Sequence, residues 1–490
     1  MRGGGLAVAP LMVDEEIEMK STILFFDDWY LSRRENLDRH VGQPLAVPEG
    51  AFRDPYLDVQ WGYPSVFRDE EDGNWRCLYQ GRLSDAKSRT QHVAVTIESG
   101  DGIHWQLNDI SSHAPDIERR FKHQVLPILG FSEWGPCFYD ERAEKSHRIK
   151  AFGSPSNLYV SPNGLRWILQ DGVKWHPWGI DPAVSAFWNK YRNCYVIAAR
   201  PVAGDRRIAV YETEDWVSFT SPELALQADA LDTPAAEVYG MPMFEYEGMF
   251  IGLLWIFHTS TVTQNNPGKF LYGKVDCQLA YSYDGKHFLR GLRDPFFENP
   301  PPGEWGSGCI YPSSLVRQDS EQKIRIYSSS TKLQHAQVFL LDNPQNHDAL
   351  LLHELRKDGF VYLESQRGPG SLITRILYHS GGELSLNTEV PYGTLRVQIT
   401  DLDGDAIEGY SFSDSLPFTG DSTSHEPKWK NATLSALSGQ TIRIEIELTN
   451  GRLYAVRGDF ILPSPRGLGD FGETGKIPEP IQSFYLNNPG

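Results

Sequence analysis

Hydrophobic side chains along this chain recur mainly in short alternating runs, and the 3.6-residue period of an amphipathic helix is nearly absent. Runs such as His92–Ile97 and Gln278–Tyr281 place apolar residues at every second position, which is the pattern of a half-buried strand. Residues that favour turns separate these runs at short intervals. The pattern therefore predicts an all-β protein.

One turn sequence occurs four times: Ser or Thr, any residue, Asp or Asn, Gly or Trp, two further residues, and an aromatic residue. The copies are Ser99–Trp105, Ser161–Trp167, Thr213–Phe219 and Ser282–Phe288. Because Asp or Asn can bond nearby backbone while Gly accepts positive φ, each copy is predicted to form a hairpin turn. The copies resemble the Asp-box turns of sialidase propellers. Their spacings of 62, 52 and 69 residues are close to one propeller blade with loop insertions.

A second series of five segments alternates with these turns. Each segment pairs a Pro with a short apolar run, and each is followed by a charged turn and a more apolar strand. The segments are Tyr63–Phe67, Gly135–Tyr139, Asp181–Ser185, Gly240–Phe244 and Tyr311–Leu315. Pro is tolerated at the start of a strand, where it removes no ladder donor. Five such hairpins predict a five-bladed β-propeller; the alternative is a series of sandwich strands with coincidental prolines.

After Gly368–Gly370 the pattern changes to alternating strands without the hairpin repeat, which predicts a C-terminal antiparallel β-sandwich. Within it, Asp401–Asp405 resembles a calcium loop but lacks the bidentate Glu twelve residues along, so a hairpin turn is predicted. The predicted divisions are an N-terminal extension (1–29), the propeller (30–365), the sandwich (366–465) and a C-terminal tail (466–490).

The composition of the chain limits the classes of partner that it could bind. The 64 acidic and 46 basic residues give a net charge of −18, which argues against nucleic acid or an anionic membrane as the main partner. No apolar run reaches the roughly 20 residues of a membrane span, and no convincing signal peptide is present, so a cytoplasmic protein is expected. The five scattered cysteines predict buried free thiols, and no cofactor or metal is predicted. The oligomeric state is left open.

The innermost strands of a propeller converge on a central funnel, so residues at the starts of the five hairpins are the natural site. Asp181 and Glu237 are the main charged candidates there. Further candidates for substrate binding are Trp61, Glu133, Trp134, Trp178, Arg200, Tyr239, His258 and Trp305. Carboxylates among flat aromatic rings suit glycoside hydrolysis, in which one acid protonates the leaving oxygen and a second carboxylate faces an oxocarbenium-like centre.

The order of hairpins and motifs resembles glycoside hydrolase families 32 and 43, which are five-bladed propellers acting largely on furanosides and β-xylosides. Family 32 also carries a C-terminal β-sandwich. Its Arg-Asp-Pro motif is similar to Ile180-Asp181-Pro182, and its Glu-Cys-Pro motif is similar to the segment Glu237–Phe244. The resemblance implies that Asp181 stabilises the transition state and that Glu237 is the acid/base. It covers roughly residues 55–340.

One position departs from both families. They place a nucleophile or base Asp directly before a Pro in the first blade, whereas this chain has Tyr63 before Pro64. Tyr63 could itself be the nucleophile, as in sialidases, if a carboxylate lies beside it. Asp54 or Asp58 could supply the carboxylate from a loop, or the site is not that of a retaining hydrolase. The sequence leaves these readings open.

The predicted function is a glycoside hydrolase or transglycosylase acting on oligosaccharides, with furanosides such as fructosides or arabinosides as candidate substrates. The alternative is a non-catalytic carbohydrate-binding propeller. Because Glu237 is followed by Val238, Tyr239 and Met241, apolar surroundings are expected to raise its pKa and hold its proton, while Asp181 stays ionised. The two carboxyls are expected within about 10 Å of each other.

Overall fold

A computed structural model describes residues 21–57, 59–85, 88–126, 134–153, 157–170, 173, 185–201, 206–234, 236–262, 271–337, 341 and 346–462. Strands dominate these ranges, and the helical segments there are short 3-10 turns such as Pro48–Gly50 and Lys145–His147. The prediction of an all-β protein is therefore confirmed. None of the helical segments in the described ranges is long and apolar enough to cross a membrane.

The strands of the described part are numbered along the chain. They are β1 (Ser21–Leu24), β2 (Leu31–Glu35), β3 (Asp38–Val41), β4 (Leu45–Ala46), β5 (Val59–Arg68), β6 (Trp75–Asp85), β7 (Ser88–Ser99), β8 (Trp134–Tyr139), β9 (Ile149–Gly153), β10 (Asn157–Ser161), β11 (Ile168–Gln170), β12 (Ser185–Asn189), β13 (Cys194–Ala199), β14 (Ile208–Thr213), β15 (Glu223–Leu226), β16 (Ala236–Gly240), β17 (Met243–Tyr246), β18 (Met249–Val262), β19 (Leu271–Ser282), β20 (Cys309–Gln318), β21 (Lys323–Thr331), β22 (Asp348–Arg356), β23 (Val361–Thr374), β24 (Leu377–Thr400), β25 (Phe418–His425) and β26 (Thr441–Ile461).

Strands β4 to β22 form successive antiparallel groups. Sheet I is β5-β6-β7, sheet II is β8-β9-β10-β11, and sheet III is β12-β13-β14-β15. Sheet IV contains β16, β17, β18 and β19, and sheet V contains β20, β21, β22 and β4. A single parallel bridge between Val275 and Cys309 joins sheets IV and V. The first strand of each sheet pairs antiparallel with the next main strand, so the hairpins of the second sequence series are formed, the third being described from Ser185.

Buried serines join the first strands of neighbouring sheets. Each Ser hydroxyl accepts a hydrogen bond from a backbone N–H of another sheet, and the links run from sheet I to II, from III to IV, and from V back to I. The pairs are Ser65 with Cys137 (2.6 Å), Ser185 with Met243 (2.9 Å) and Ser314 with Val66 (3.0 Å). Because the last sheet is bonded to the first, the five sheets close on themselves.

The four repeated turns share one hydrogen-bond pattern, as the sequence predicted. In the copy at Ser282, the hydroxyl accepts the N–H of Gly285, and the Asp284 carboxylate accepts the N–H groups of Lys286 (2.9 Å) and His287 (2.8 Å). The fourth position has positive φ in every copy: Gly102 74°, Gly164 77°, Trp216 60° and Gly285 73°. The side-chain bonds hold the loop while the fourth residue reverses the chain.

Each repeated turn packs against the sheet that precedes its own, and the turn of sheet I packs against sheet V. The contacts are Gly102 O with the Tyr327 hydroxyl (2.8 Å), Gly164 against Phe67, Trp216 against Phe152 (5.9 Å between rings) and Asp284 O with Asn189 Nδ2 (2.7 Å). These contacts join sheet V to I, I to II, II to III and III to IV, and they include the same link between the last and the first sheet as the serine bonds.

The C-terminal strands form a separate sheet in the order β2-β23-β26-β24-β25, with β1 beside β26 and β3 beside β23. Leu384 lies opposite Gly458, and Val397 lies opposite Ile446. The Asp401 carboxylate accepts the N–H groups of Asp403, Gly404 and Asp405, which confirms the predicted hairpin turn at Asp401–Asp405.

Strands from the N-terminal part of the chain complete this C-terminal sheet. Ser21 lies opposite Gly458, and β2 and β3 both pair with β23. The sequence assigned residues 30–41 to the propeller and placed a division at 365, which lies inside β23, where the register shifts between Ser365 and Pro369. Strands β1 to β3 pair with strands more than 300 residues later in the chain, and local sequence patterns cannot reveal such a pairing. The division into domains stays a prediction.

The five cysteines lie in the described part and are free thiols. Cys77, Cys194, Cys277 and Cys309 are buried, and Cys137 is half-buried, which confirms the prediction made from their spacing. Burial raises the pKa of the Cys194 thiol to about 11, so this group is protonated and unreactive near neutral pH.

Candidate active site

Tyr63 lies near the start of β5 with φ at +37°, a conformation that non-glycine residues rarely adopt. Its ring is buried (8% exposed), stacks on Trp255 at 5.0 Å and meets Tyr311 edge-on at 5.8 Å. Strained backbone of this kind persists only where the surroundings hold it, and it concentrates at functional sites. Tyr63 is thus fixed where sheets I, IV and V meet.

Tyr239 brings a third tyrosine to the same place from sheet IV. Its ring lies 5.6 Å from Tyr311 and 6.4 Å from Trp255. We call Tyr63, Tyr239, Trp255 and Tyr311 the tyrosine cluster. Its members come from sheets I, IV and V, and burial raises the pKa of the Tyr311 hydroxyl well above its ordinary value. The four side chains are at most 8% exposed, so the cluster packs tightly where the three sheets meet.

Glu237 lies two residues before Tyr239 on β16 and forms an ion pair with Arg206. The two side chains are 17% and 15% exposed, and the Arg206 guanidinium also lies over the rings of Tyr239 (5.5 Å) and Phe257 (5.2 Å). The sequence predicts apolar surroundings for the Glu237 carboxyl, from Val238, Tyr239 and Met241. The structure instead places a cation against its carboxylate, because the chain just before β14 runs beside β16.

Arg200 supplies a second guanidinium at Tyr239. It follows β13, donates a hydrogen bond from Nη2 to the Tyr239 carbonyl (2.8 Å) and lies 5.0 Å from the centre of the Tyr239 ring. Among the predicted site residues, the structure thus brings together Tyr63, Arg200, Glu237 and Tyr239.

His335 is a residue of this site that the sequence did not indicate. It lies in the loop after β21, where its backbone N–H bonds the Gly273 carbonyl (2.8 Å). Its Nε2 lies 3.2 Å from the Tyr239 hydroxyl, and its ring is 4.8 Å from Phe257. No motif surrounds His335 in the sequence, so only the fold reveals its position.

His258, another predicted residue, lies apart from the cluster. Neighbouring residues of a strand point to opposite faces, and its neighbour Phe257 is the one that contacts Tyr239. His258 Nε2 bonds Asp276 Oδ2 (2.8 Å), and this hydrogen bond raises the pKa of the imidazole. The histidine is a hydrogen-bonded partner of Asp276 on the other face of sheet IV.

Asp54, one of the alternatives for a first-sheet carboxylate, is fully buried. Its Oδ2 accepts hydrogen bonds from the Tyr79 hydroxyl (2.7 Å) and from His123 Nε2 (2.9 Å), and its Oδ1 accepts the Tyr56 N–H (2.9 Å). A substrate cannot reach a carboxylate so enclosed. Asp54 anchors two loops to sheet I, which is a sufficient reason for its presence.

Trp305 also lies away from the tyrosine cluster. It lines a cavity on sheet V together with Ile310 and Lys332, whereas the next residue along β20, Tyr311, belongs to the cluster. Trp305 precedes β20 in a turn, so its side chain is not placed by the strand, although the sequence put it at the start of the same hairpin.

The remaining predicted residues lie outside what the structure describes. Asp58, Glu133, Trp178 and Asp181 are not in the described ranges, and the side chains of Trp61 and Trp134 are not described. The predicted separation of Asp181 and Glu237 therefore stays a prediction. In the described ranges, no three His, Cys, Asp or Glu side chains are grouped so as to hold a metal ion.

This arrangement combines the elements of a carbohydrate site. The rings of the tyrosine cluster are at most 8% exposed, so they form a packed aromatic base, while the Tyr and His groups can exchange hydrogen bonds with hydroxyls. The Glu237 carboxylate can face positive charge that develops on a sugar ring, and the Arg206 guanidinium fixes its position.

No protein-family model and no curated protein matches the chain. Among solved structures, it is similar to an N-acetylgalactosamine deacetylase from F. plautii in complex with blood group B trisaccharide (12% identity, 66% of this chain, 97% of that chain, TM-score 0.44). It is also similar to a fructofuranosidase variant from Schwanniomyces occidentalis complexed with fructosylnystose (11% identity, 86% of this chain, 98% of that chain, TM-score 0.41). A third similar structure is a β-1,2-mannobiose phosphorylase from Listeria innocua in complex with β-1,2-mannobiose (10% identity, 65% of this chain, 97% of that chain, TM-score 0.43). Likeness at these identities and TM-scores establishes no reaction, substrate or site residue for this chain.

Proposed function

We propose that this protein is a glycoside hydrolase or transglycosylase that acts on oligosaccharides at the tyrosine cluster. The observation that carries the proposal is the convergence of Tyr63, Tyr239 and Tyr311 from three sheets beside the ion pair of Glu237 and Arg206. A positioned carboxylate above a packed aromatic base suits cleavage through an oxocarbenium-like transition state, for which a second carboxylate is also needed.

Glu237 is proposed to act as a base, a nucleophile or an electrostatic stabiliser. The Arg206 guanidinium already engages and orients its carboxylate, which suits these roles better than that of the acid that protonates the leaving group. Asp181 stays the proposed second carboxylate, and its predicted place at the start of the neighbouring hairpin supports that role. This exchanges the roles that the family resemblance implied for the two residues.

The rival proposal is a non-catalytic carbohydrate-binding protein. Two observations favour it: Tyr63 occupies the position where the resembled families carry Asp, and Asp54 is enclosed by Tyr79 and His123. Loss of one carboxylate removes chemistry from a glycosidase while leaving its stacking surfaces, so binding would persist without turnover.

Turnover of a panel of aryl glycosides, with sucrose and other fructofuranose donors included, separates the two proposals. An enzyme should turn over at least one member, and Glu237→Gln should lower that turnover by roughly 10²–10⁴-fold. Glu408→Gln changes an exposed carboxylate in the C-terminal part and should leave turnover unchanged. Saturable binding of a sugar without turnover of any member would support the binding protein and overturn the enzyme.

We also propose that sheets I to V are the blades of a five-bladed β-propeller. The serine links and the packing of the repeated turns, both of which run from the last sheet to the first, support this architecture. Radial repetition of short antiparallel sheets around one axis is how propellers protect their strand edges.

The C-terminal sheet is proposed to fold over itself as a β-sandwich. Strands β24 and β26 contain 24 and 21 residues, far longer than ordinary strands, and β24 carries repeated register shifts that would let it pass between layers. The proposed domain division keeps a boundary near residue 365 and assigns residues 21–41 to the sandwich, since β1, β2 and β3 pair with its strands.

A further inference from the structure

A cavity of about 650 Å³ lies on sheet V, between the segments 43–51 and 296–305. Its deep side is formed by Phe296, Phe297 and Leu352, all of which are buried. The indole of Trp305 forms part of the wall. The volume exceeds what one sugar ring needs and lies within the usual range for small-molecule sites.

His353 gives this cavity an unsatisfied polar group. The imidazole lines the cavity and packs edge-on against Phe297, with ring centres 4.9 Å apart. Its Nδ1 is buried and has no hydrogen-bond partner among the described residues. Burial lowers the pKa of His353 to about 4, so the ring is neutral near pH 7 and offers one donor and one acceptor. Leaving such a group unpaired is unfavourable, and a hydrogen bond from a bound ligand would remove that penalty.

The rim of the cavity selects against anions. Glu298 and Glu304 are exposed there, and Lys332 is the cation. The Lys332 ammonium lies 4.0 Å from the centre of the Trp305 ring, so the indole fixes this charge in place. With two carboxylates and one ammonium, the lining of the cavity carries a net negative charge, and the whole chain has a net charge of −18.

We propose that this cavity is a second carbohydrate site, which binds a neutral sugar ring apart from the tyrosine cluster. A sugar combines an apolar C–H face, which suits Trp305 and the buried phenylalanines, with hydroxyls, which suit His353 and the rim carboxylates. A purely apolar ligand would leave the imidazole unpaired, and an anion would meet Glu298 and Glu304. The inference goes beyond the proposed function and requires no turnover at Glu237.

Fluorine NMR of the full chain labelled with 5-fluorotryptophan tests the site directly. The resonance of residue 305 is identified by its loss in Trp305→Phe, and the chain is titrated with glucose, mannose, galactose, xylose, arabinose, fructose and sucrose. At least one sugar should shift that resonance saturably, both in the unmodified protein and in Glu237→Gln. If none does so, the second site is refuted, whatever the turnover assays show. The NMR titration reports on Trp305 and the turnover assay on Glu237. A protein without turnover can therefore still show the sugar-dependent shift, so the two proposals can fail independently.

His353→Leu supplies the second test. Removing a hydrogen bond to the ligand should weaken sugar binding about tenfold, while removing an unpaired buried nitrogen should leave the thermal unfolding midpoint unchanged or higher. His113→Leu alters an exposed histidine and should leave sugar binding unchanged. A lower midpoint together with unchanged sugar binding would show that His353 is a structural residue and would overturn its role in the site.

Discussion

Arg206 and Glu237 form an ion pair beside the ring of Tyr239, with both side chains mostly buried. The pair joins the chain that enters β14 to β16, and a backbone hydrogen bond from the Val238 N–H to the Arg206 carbonyl (3.2 Å) accompanies it. A carboxylate held in this way has a fixed position. The role of Glu237 can therefore be tested by measuring whether the loss of activity in a Glu237 variant depends on the leaving group of the substrate.

Glu237→Ala is expected to lower kcat/KM by similar factors for aryl glycosides with good and with poor leaving groups. An ionised carboxylate stabilises the sugar whichever group departs, whereas an acid matters mainly for leaving groups that need a proton. Steady-state kinetics on matched substrates measures the two factors. A much larger loss on poor leaving groups would show that Glu237 is the acid, as the family resemblance implied.

Asp54→Ala is expected to lower the free energy of unfolding by about 3 kcal/mol or more, because Tyr79 and His123 would lose a buried charged acceptor. Urea denaturation measures the change. Asp116→Ala, at an exposed position, should have almost no effect. If Asp54→Ala abolished turnover while stability stayed the same, Asp54 would belong to the active site after all.

At position 216, replacement by Gly is expected to leave the protein more stable than replacement by Ala, the reverse of the usual order. Its φ is +60°, and its ring packs against Tyr195 (4.6 Å) and Phe138 (6.0 Å). Both Trp216→Ala and Trp216→Gly lose this packing, but only Ala keeps the left-handed strain of about 1–2 kcal/mol. Chemical denaturation should therefore find the Gly variant the more stable of the two by about 1 kcal/mol. Equal stabilities would mean that the turn relaxes when the ring is removed.

Ser314→Ala is expected to destabilise the protein by about 1–3 kcal/mol, because the buried Val66 N–H would lose its acceptor at the junction of sheets V and I. Thermal unfolding measures the effect, and Ser424→Ala, at an exposed position, is the matched control. No difference between the two variants would argue against the serine link as a source of closure.

His258 should stabilise the folded protein more at low pH than at high pH. Its folded pKa lies above 6.5 because of Asp276, so the stabilisation is fully present below that value and is lost as the pH rises through the folded pKa. The free energy of unfolding of the unmodified protein, compared with that of His258→Gln, should thus differ more near pH 6 than near pH 9. A difference that grew with pH would contradict the assignment.

Local chemistry explains what could be predicted from the sequence. The turns at Ser282 and Asp401 depend on side chains bonding backbone within four residues, so the residue types reveal them directly. Strand alternation likewise predicts the hairpins, since each consists of neighbouring segments.

Long-range placement explains what the sequence could not reveal. His335 reaches Tyr239 from a loop almost a hundred residues away, and Arg206 meets Glu237 only because two sheets lie side by side. Trp305 lines the cavity on sheet V and Tyr311 belongs to the tyrosine cluster, because Trp305 lies in the turn before β20 and a turn's path cannot be deduced from strand alternation.

The pairing of β1 with β26 has a consequence for synthesis. The segment Ile23–Phe26 is almost completely buried in the folded protein, but its partner strand is among the last described parts of the chain to be translated. At about 5–20 residues per second, this apolar segment waits for tens of seconds before its partner leaves the ribosome. During that interval it is a natural target for chaperones and for aggregation, so the yield of folded protein should depend on how the nascent N-terminal segment is protected.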